Sequence, residues 1–174
     1  MVALARTRLA CALALLAAGL LAPAAATAAD WPQFRGPNRD GVSPETGLLR
    51  SWPPGGPKVL WSTPVGQGYA AAAIVAGRVY FNDYDEAAGD YLVRCLNLAD
   101  GKEIWRFKEK RRIRPNHAIT RTVPATDGKL VFTFDPKAVL HALDAATGRE
   151  VWRKDLVQEY GSQIPPWYNG QCPL

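Results

Sequence analysis

Ala142-Leu143-Asp144-Ala145-Ala146-Thr147-Gly148-Arg149-Glu150-Val151-Trp152 decides the reading of this 174-residue chain, because it has an earlier counterpart. The stretch Leu96-Asn97-Leu98-Ala99-Asp100-Gly101-Lys102-Glu103-Ile104-Trp105 recurs from Leu143 to Trp152 at a constant offset of about 47 residues. Leu, Ala, Gly, Glu and Trp are identical in the two copies, and Lys/Arg and Ile/Val match in chemistry. A third tryptophan, Trp61, lies about 44 residues before Trp105, inside the strand-like run Lys58-Val59-Leu60-Trp61-Ser62-Thr63. A period near 45 residues is the length of one propeller blade.

Within a period the segments are short, alternate in polarity and are separated by turn dipeptides, which predicts strands. The first copy reads as strands 70–76, 79–84, 91–98 and 102–108, and the second as 119–125, 129–134, 138–144 and 149–156. Ala76-Gly77, Asp100-Gly101, Asp127-Gly128 and Thr147-Gly148 supply the turns, since glycine accepts the positive φ these require. No helix is expected after residue 29. The predicted fold class is all-β: a partial β-propeller of four-stranded antiparallel blades whose ring does not close within this chain. Four blades of 47 residues need about 188, whereas about 145 remain after residue 29. The chain is therefore expected to be the N-terminal part of a longer reading frame.

The expected organisation is a signal peptide over 1–29, an irregular strap over 30–57 and a partial propeller over 58–174. The propeller comprises an outer strand 58–65 completing an absent blade, blades 69–108 and 119–156, and the start of a further blade over 164–174. Arg6 and Arg8 precede an Ala/Leu run, and Ala26-Thr27-Ala28 offers a small-x-small cleavage site, the pattern of secretion. Export places the protein in the periplasm or cell envelope. Removing residues 1–29 leaves 19 basic against 16 acidic residues, a net charge of +3, too small an excess to imply a nucleic-acid partner. Cys95 and Cys172 then remain in an oxidising compartment, where two small buried residues are expected.

Residues 142–152 resemble the tryptophan-docking motif A-x-D-x-x-T-G-x-x-x-W of quinoprotein-like β-propellers at every specified position. Residues 95–105 resemble it more weakly, with Cys95 for Ala, Asn97 for Asp and Asp100 for Thr. Residues 30–41 and 164–174 look like segments of exported bacterial PQQ-binding-like repeat proteins. The resemblance implies that Trp105 and Trp152 leave the outermost strand and pack between neighbouring blades. Trp61, Gly101, Trp105, Asp144, Gly148 and Trp152 are thus expected to be structural docking residues.

Candidates for chemistry are weaker. Gly66-Gln67-Gly68-Tyr69-Ala70-Ala71 matches G-x-G-x-x-A but opens no helix, so dinucleotide binding is rejected. Asn38-Arg39-Asp40-Gly41 supplies too few oxygen ligands for calcium and reads as a turn. The charge run Lys108 to Arg114 reads as a solvated connector rather than an anion-binding surface. Arg114, His117 and Arg121 enter the inner strand and are the candidates for channel-facing polar contacts. His141 alternates with Val139 and Leu143 and reads as a packed, hydrogen-bonded histidine. No catalytic residue or metal-ligand spacing is found. Quinoprotein alcohol dehydrogenases share the Trp motifs, but their adjacent Cys pair, calcium ligands and catalytic Asp have no match here, so no cofactor is expected. The expectation is a non-catalytic scaffold with a protein partner or a ligand at the propeller channel. It is analogous to the propeller lipoprotein of outer-membrane assembly, though without a lipid-acceptor Cys. A quinoprotein dehydrogenase fragment is the alternative.

Overall fold

The computed structural model describes residues 29–114 and 119–174; the expected signal peptide and His117 lie outside the described residues. Two four-stranded sheets account for the regular structure. Blade 1 consists of β1 (Ala73–Val75), β2 (Arg78–Asp85), β3 (Asp90–Asn97) and β4 (Glu103–Lys110). Blade 2 consists of β5 (Ala125–Thr126), β6 (Leu130–Phe134), β7 (Val139–Asp144) and β8 (Glu150–Asp155). Each is an antiparallel meander in sequence order, and the two do not close into a ring. Both blades carry a register shift at the same point of the repeat, Cys95/Leu96 and Ala142/Leu143.

The docking motif explains that repetition. Cys95 pairs with Trp105 and Ala142 with Trp152 across the two outer strands. Both small residues are fully buried, so the position opposite each indole has room for little more than a methyl or thiol group. After the third strand the chain turns back through matched bonds: Asn97 N to Lys102 O and Gly101 N to Asn97 O in blade 1, Asp144 N to Arg149 O and Gly148 N to Asp144 O in blade 2. Asp144 Oδ1 further accepts from Ala146 N, Thr147 N and the Thr147 hydroxyl. The Thr147 bonds hold its carboxyl below the usual carboxylate range. In the weaker copy Asn97 accepts only from Ala99 N, and Asp100 takes the Thr role by accepting from Lys102 N.

The core lies between the sheets. Tyr80, Tyr91, Val93 and Cys95 of blade 1 meet Ile119, Val131, Leu143 and Ala145 of blade 2. A buried polar network, which the sequence did not announce, runs through it. Asn82 Nδ2 donates to Thr122 O at 2.8 Å, while Asn82 Oδ1 accepts from the hydroxyls of Tyr91 (3.0 Å) and Thr133 (2.8 Å). Each polar atom has its partner in or beside the other blade, so the network fixes their register as well as their contact.

Two expectations are corrected, the length of the innermost strands and the absence of helix. The innermost strands are shorter than expected, β1 starting at Ala73 and β5 at Ala125. The preceding residues join the blades instead: Gly68 bridges Thr120 in parallel, and Tyr69 N and Ala70 N both donate to Thr120 O. Pro124 also withholds a ladder donor just before β5. Residues 58–65 make no ladder pairing; they are held by Arg94, which donates to Pro64 O (2.9 Å) and Thr63 Oγ1 (3.2 Å). Residues 164–174 likewise form no strand. Finally, a helix does form, α1 (Leu156–Tyr160), where a strand end was expected. Asp155 caps it by accepting from Val157 N and Gln158 N, and Gly161 ends it at φ 67°.

The strap has no strand of its own, yet it is anchored. Trp31 exchanges two backbone bonds with Ile74, and Thr126 N donates to Pro32 O. The Gly-x-Gly segment also acquires a structural reason. A Cβ on Gly66 would stand 2.1 Å from Tyr84 O, and one on Gly68 would stand 1.9 Å from Thr120 Oγ1. Both glycines are there for close approach of chain segments rather than for phosphate.

Gly148 tests the packing scheme directly, because a Cβ there would lie 2.4 Å from Trp105 Cε3, whereas one on Gly77, of the same positive φ, meets nothing within 4 Å. Gly77→Ala is expected to cost about 1 kcal/mol for backbone strain alone. Gly148→Ala is expected to cost about 3 kcal/mol, strain plus overpacking, read as the shift in the urea unfolding midpoint.

Candidate functional site

Residues 161–172 leave α1 and fold back over the connection 119–124 and the β6–β7 turn, enclosing a basin of about 650 Å³. Arg121 forms one wall, Trp167 and Tyr168 another, and Asn169 and Phe134 lie among the remaining lining residues. The loop is shaped from its backbone outward. Tyr168 sits at φ 67°, unusual for a non-glycine residue, and its N–H donates to Pro165 O. That conformation carries the Tyr168 hydroxyl to Arg114 O at 3.2 Å, and Asn169 N donates to Pro136 O at 3.0 Å. Gly170 lies against the Arg121 side chain, where even a Cβ would come to 3.8 Å.

Asn169 is buried, with Oδ1 accepting from Gln171 N, but its Nδ2 has no hydrogen-bond partner. A buried amide donor left unpaired is costly unless something else accepts from it. Arg121 and the half-exposed Trp167 ring line the same basin. An unpaired amide donor in a basin with a flat apolar surface suits a ligand with an acceptor oxygen and an apolar face.

Of the three candidate channel residues, Arg121 lines this basin, Arg114 reaches it through its carbonyl and Tyr168, and His117 is outside the described residues. Trp167, Tyr168 and Asn169 were missed. The available signal is Trp-Tyr-Asn-Gly, an aromatic pair followed by a turn dipeptide, within the segment that the sequence pattern assigns to the start of another blade.

The docking residues divide. The Trp105 ring covers Gly148, and its Nε1 donates to Ala145 O at 3.0 Å. Trp61 covers Gly101 and donates to Leu98 O at 2.8 Å, the equivalent carbonyl one repeat earlier. Trp152, expected to pack between blades, is instead 40% exposed and touches Phe132 of its own sheet. By the same rule its counterpart would be the turn glycine of a following repeat.

The charge run is more committed than a solvated connector. Arg111 pairs with Asp135 and Glu109, and Glu109 also receives Arg153 of blade 2 at 2.8 Å. Arg94 is buried between Asp83 and Glu103, and Glu103 is held below its usual carboxylate range by Arg106 and Arg94. His141 is fully buried, as a packed histidine should be, with Glu150 at Nδ1.

The lining of this basin holds no carboxylate that would ligate calcium beside a quinone. The two described cysteines are free thiols, Cys95 buried in the core and Cys172 accepting from Val123 N. No helix among the described residues is long and apolar enough to cross a membrane.

Fold and repeat together define an open stretch of β-propeller stitched by tryptophans. Residues 89–172 match the family PQQ_2, described as outer membrane protein assembly factor BamB. It is 32% identical over 94 residues to quinoprotein alcohol dehydrogenase PedH of Pseudomonas putida, covering 53% of this chain but 14% of that relative. Among solved structures it is similar to BamB from Moraxella catarrhalis, with a TM-score of 0.42 at 23% identity over 55% of this chain and 26% of that one. It is also similar to quinohemoprotein alcohol dehydrogenase from Comamonas testosteroni, with a TM-score of 0.41 at 21% identity over 55% of this chain and 14% of that one.

Burial pushes the Cys95 thiol up to about 11 from an ordinary 9.0. Native Cys95 is therefore expected to resist iodoacetamide at pH 8 and to react once the chain is unfolded, as mass spectrometry of the alkylated peptides would read. The unfolded chain loses this proton first as pH rises, so Cys95 lowers stability between about pH 9 and 11 and has no effect below. A Cys95→Ala variant is expected to show a smaller loss over that window.

Proposed function

We propose that this protein is a non-catalytic, exported propeller that binds a protein partner or ligand in the basin at Arg121, Trp167 and Asn169. The observation that carries this reading is the buried, unpartnered Asn169 amide in a basin that also presents the half-exposed Trp167 ring: a donor and a flat surface recognise, but they do not by themselves transfer groups. The matched family description, an outer membrane protein assembly factor, supports a scaffold working in the cell envelope.

The alternative is a portion of a quinoprotein dehydrogenase whose active residues lie elsewhere in a longer chain. The 32% identity to PedH favours it.

Supplying pyrroloquinoline quinone with calcium to the protein separates the two. The scaffold reading expects no tight uptake and no dye-linked alcohol oxidation; uptake with turnover overturns it. Arg121→Ala and Trp167→Ala are expected to weaken partner capture from an envelope extract at least tenfold while leaving the unfolding midpoint within about 0.5 kcal/mol of the parent, because both side chains are partly exposed.

A further inference from the structure

The repeat sets Arg94 of β3 and His141 of β7 at equivalent positions, and Glu103 of β4 and Glu150 of β8 at another equivalent pair. In blade 1 the buried guanidinium fills its place. Arg94 Nε donates to Glu103 Oε2 at 2.7 Å, and Nη1 reaches Asp83 Oδ2 at 3.0 Å and Pro64 O at 2.9 Å. A fixed positive charge thus ties the blade to the segment packed against its inner face.

In blade 2 a shorter side chain occupies the position. His141 Nδ1 lies 2.8 Å from Glu150 Oε1, the counterpart of the Arg94–Glu103 bond. Its other edge is unfinished. Nε2 stops 3.5 Å from Glu109 Oε2 on β4 of the preceding blade, and both atoms are buried without a hydrogen-bond partner. Tyr91 and Phe107 lie against the imidazole at 6.0 and 5.3 Å between centroids, which fixes its plane. Two buried atoms of this kind, aimed at each other but too far apart for a good hydrogen bond, call for something between them.

The gap has the dimensions of a shared cation. Two ligands each about 2.0–2.1 Å from a tetrahedral ion stand about 3.4 Å apart. Glu150 accepting from Nδ1–H leaves the lone pair on Nε2, the carboxylate–histidine arrangement that orients metal ligands. Ligand atoms of Glu109, His141 and Glu150 all lie within 4.8 Å of one another. Charge agrees: the carboxylates Glu109, Glu150 and Asp135 face the guanidiniums Arg111 and Arg153, an excess of one negative charge before anything is added to the imidazole. Glu109 also lines a cavity of about 370 Å³ with Arg153 and Gln158, which has room for water beside the Glu109 carboxylate.

We propose that His141 Nε2 and Glu109 Oε2 bind a divalent transition-metal ion of the zinc class, with Glu150 as the positioning residue and water from the cavity completing the coordination. The ion cross-links β4 of blade 1 to β7 of blade 2, replacing in the second blade the positive charge that Arg94 supplies in the first. Imidazole with carboxylate oxygen is a donor set that zinc accepts and that calcium and magnesium do not favour.

Titrating the chelator-treated full chain with zinc chloride by calorimetry is expected to give one saturable site and a melting temperature that rises with zinc concentration. Glu109→Gln and His141→Gln are expected to abolish the site, Glu150→Gln to weaken it roughly 10–100-fold, and Glu159→Gln, a cavity residue outside the ligand cluster, to leave it unchanged. X-ray absorption at the zinc edge of the unmodified chain should show one imidazole among oxygen ligands, a readout that does not depend on any variant folding. Absence of saturable uptake, or an absorption spectrum without imidazole, overturns the proposal and leaves a buried histidine packed between the two carboxylates.

Discussion

An indole ring covering a turn glycine of the next repeat is the contact on which the rest of this structure depends. Trp61 covers Gly101 and Trp105 covers Gly148, each with its N–H on the carbonyl that opens the same turn. Burying an indole removes about 150–250 Å² from water, an upper estimate of about 4–6 kcal/mol. The contact needs a turn residue that lacks a Cβ, and at Trp105 the residue across the strand is also small, Cys95. Each repeat therefore carries a tryptophan to place and a glycine to be covered, and neither is satisfied within its own sheet. Adjacent blades in this protein are partners by construction.

Around that hydrophobic contact the interface is finished with polar groups. The Asn82–Tyr91–Thr133–Thr122 network lies inside the core, and the Arg94 and His141 clusters lie nearer its rim. The apolar contact supplies most of the stabilisation, while the buried polar groups restrict the two sheets to one alignment, since any slip would strand donors without acceptors. The same equivalence that repeats the tryptophan also repeats the rim, with Arg94 answered by His141. Where the repeat substitutes a shorter group, a gap opens, and the inter-blade cation site is inferred from that gap.

Much of the fold was legible because its determinants are local or periodic. The 47-residue offset, the Gly turns and the alternating strands specify four strands per blade and their order. What escaped were features set by neighbours. The inner strands gave up residues to Thr120, a pairing between segments about fifty residues apart. The α1 helix needed only Asp155, Glu159 and Gly161, and those signals were present but were outweighed by strand periodicity. Of the basin, only Arg114 and Arg121 were anticipated. Asn169 becomes notable through burial without a partner, and Glu109 through the blade it faces; neither property is written in a sequence of one repeat.

A double-mutant cycle on Trp105 and Gly148 tests the central contact most directly. With Trp105→Leu, Gly148→Ala and the pair measured by urea unfolding, the account predicts strong coupling, at least about 1.5 kcal/mol, because an added methyl costs much less once the ring above it is gone. Additivity within about 0.5 kcal/mol would contradict it, showing that the indole and the glycine do not stabilise the blades through each other.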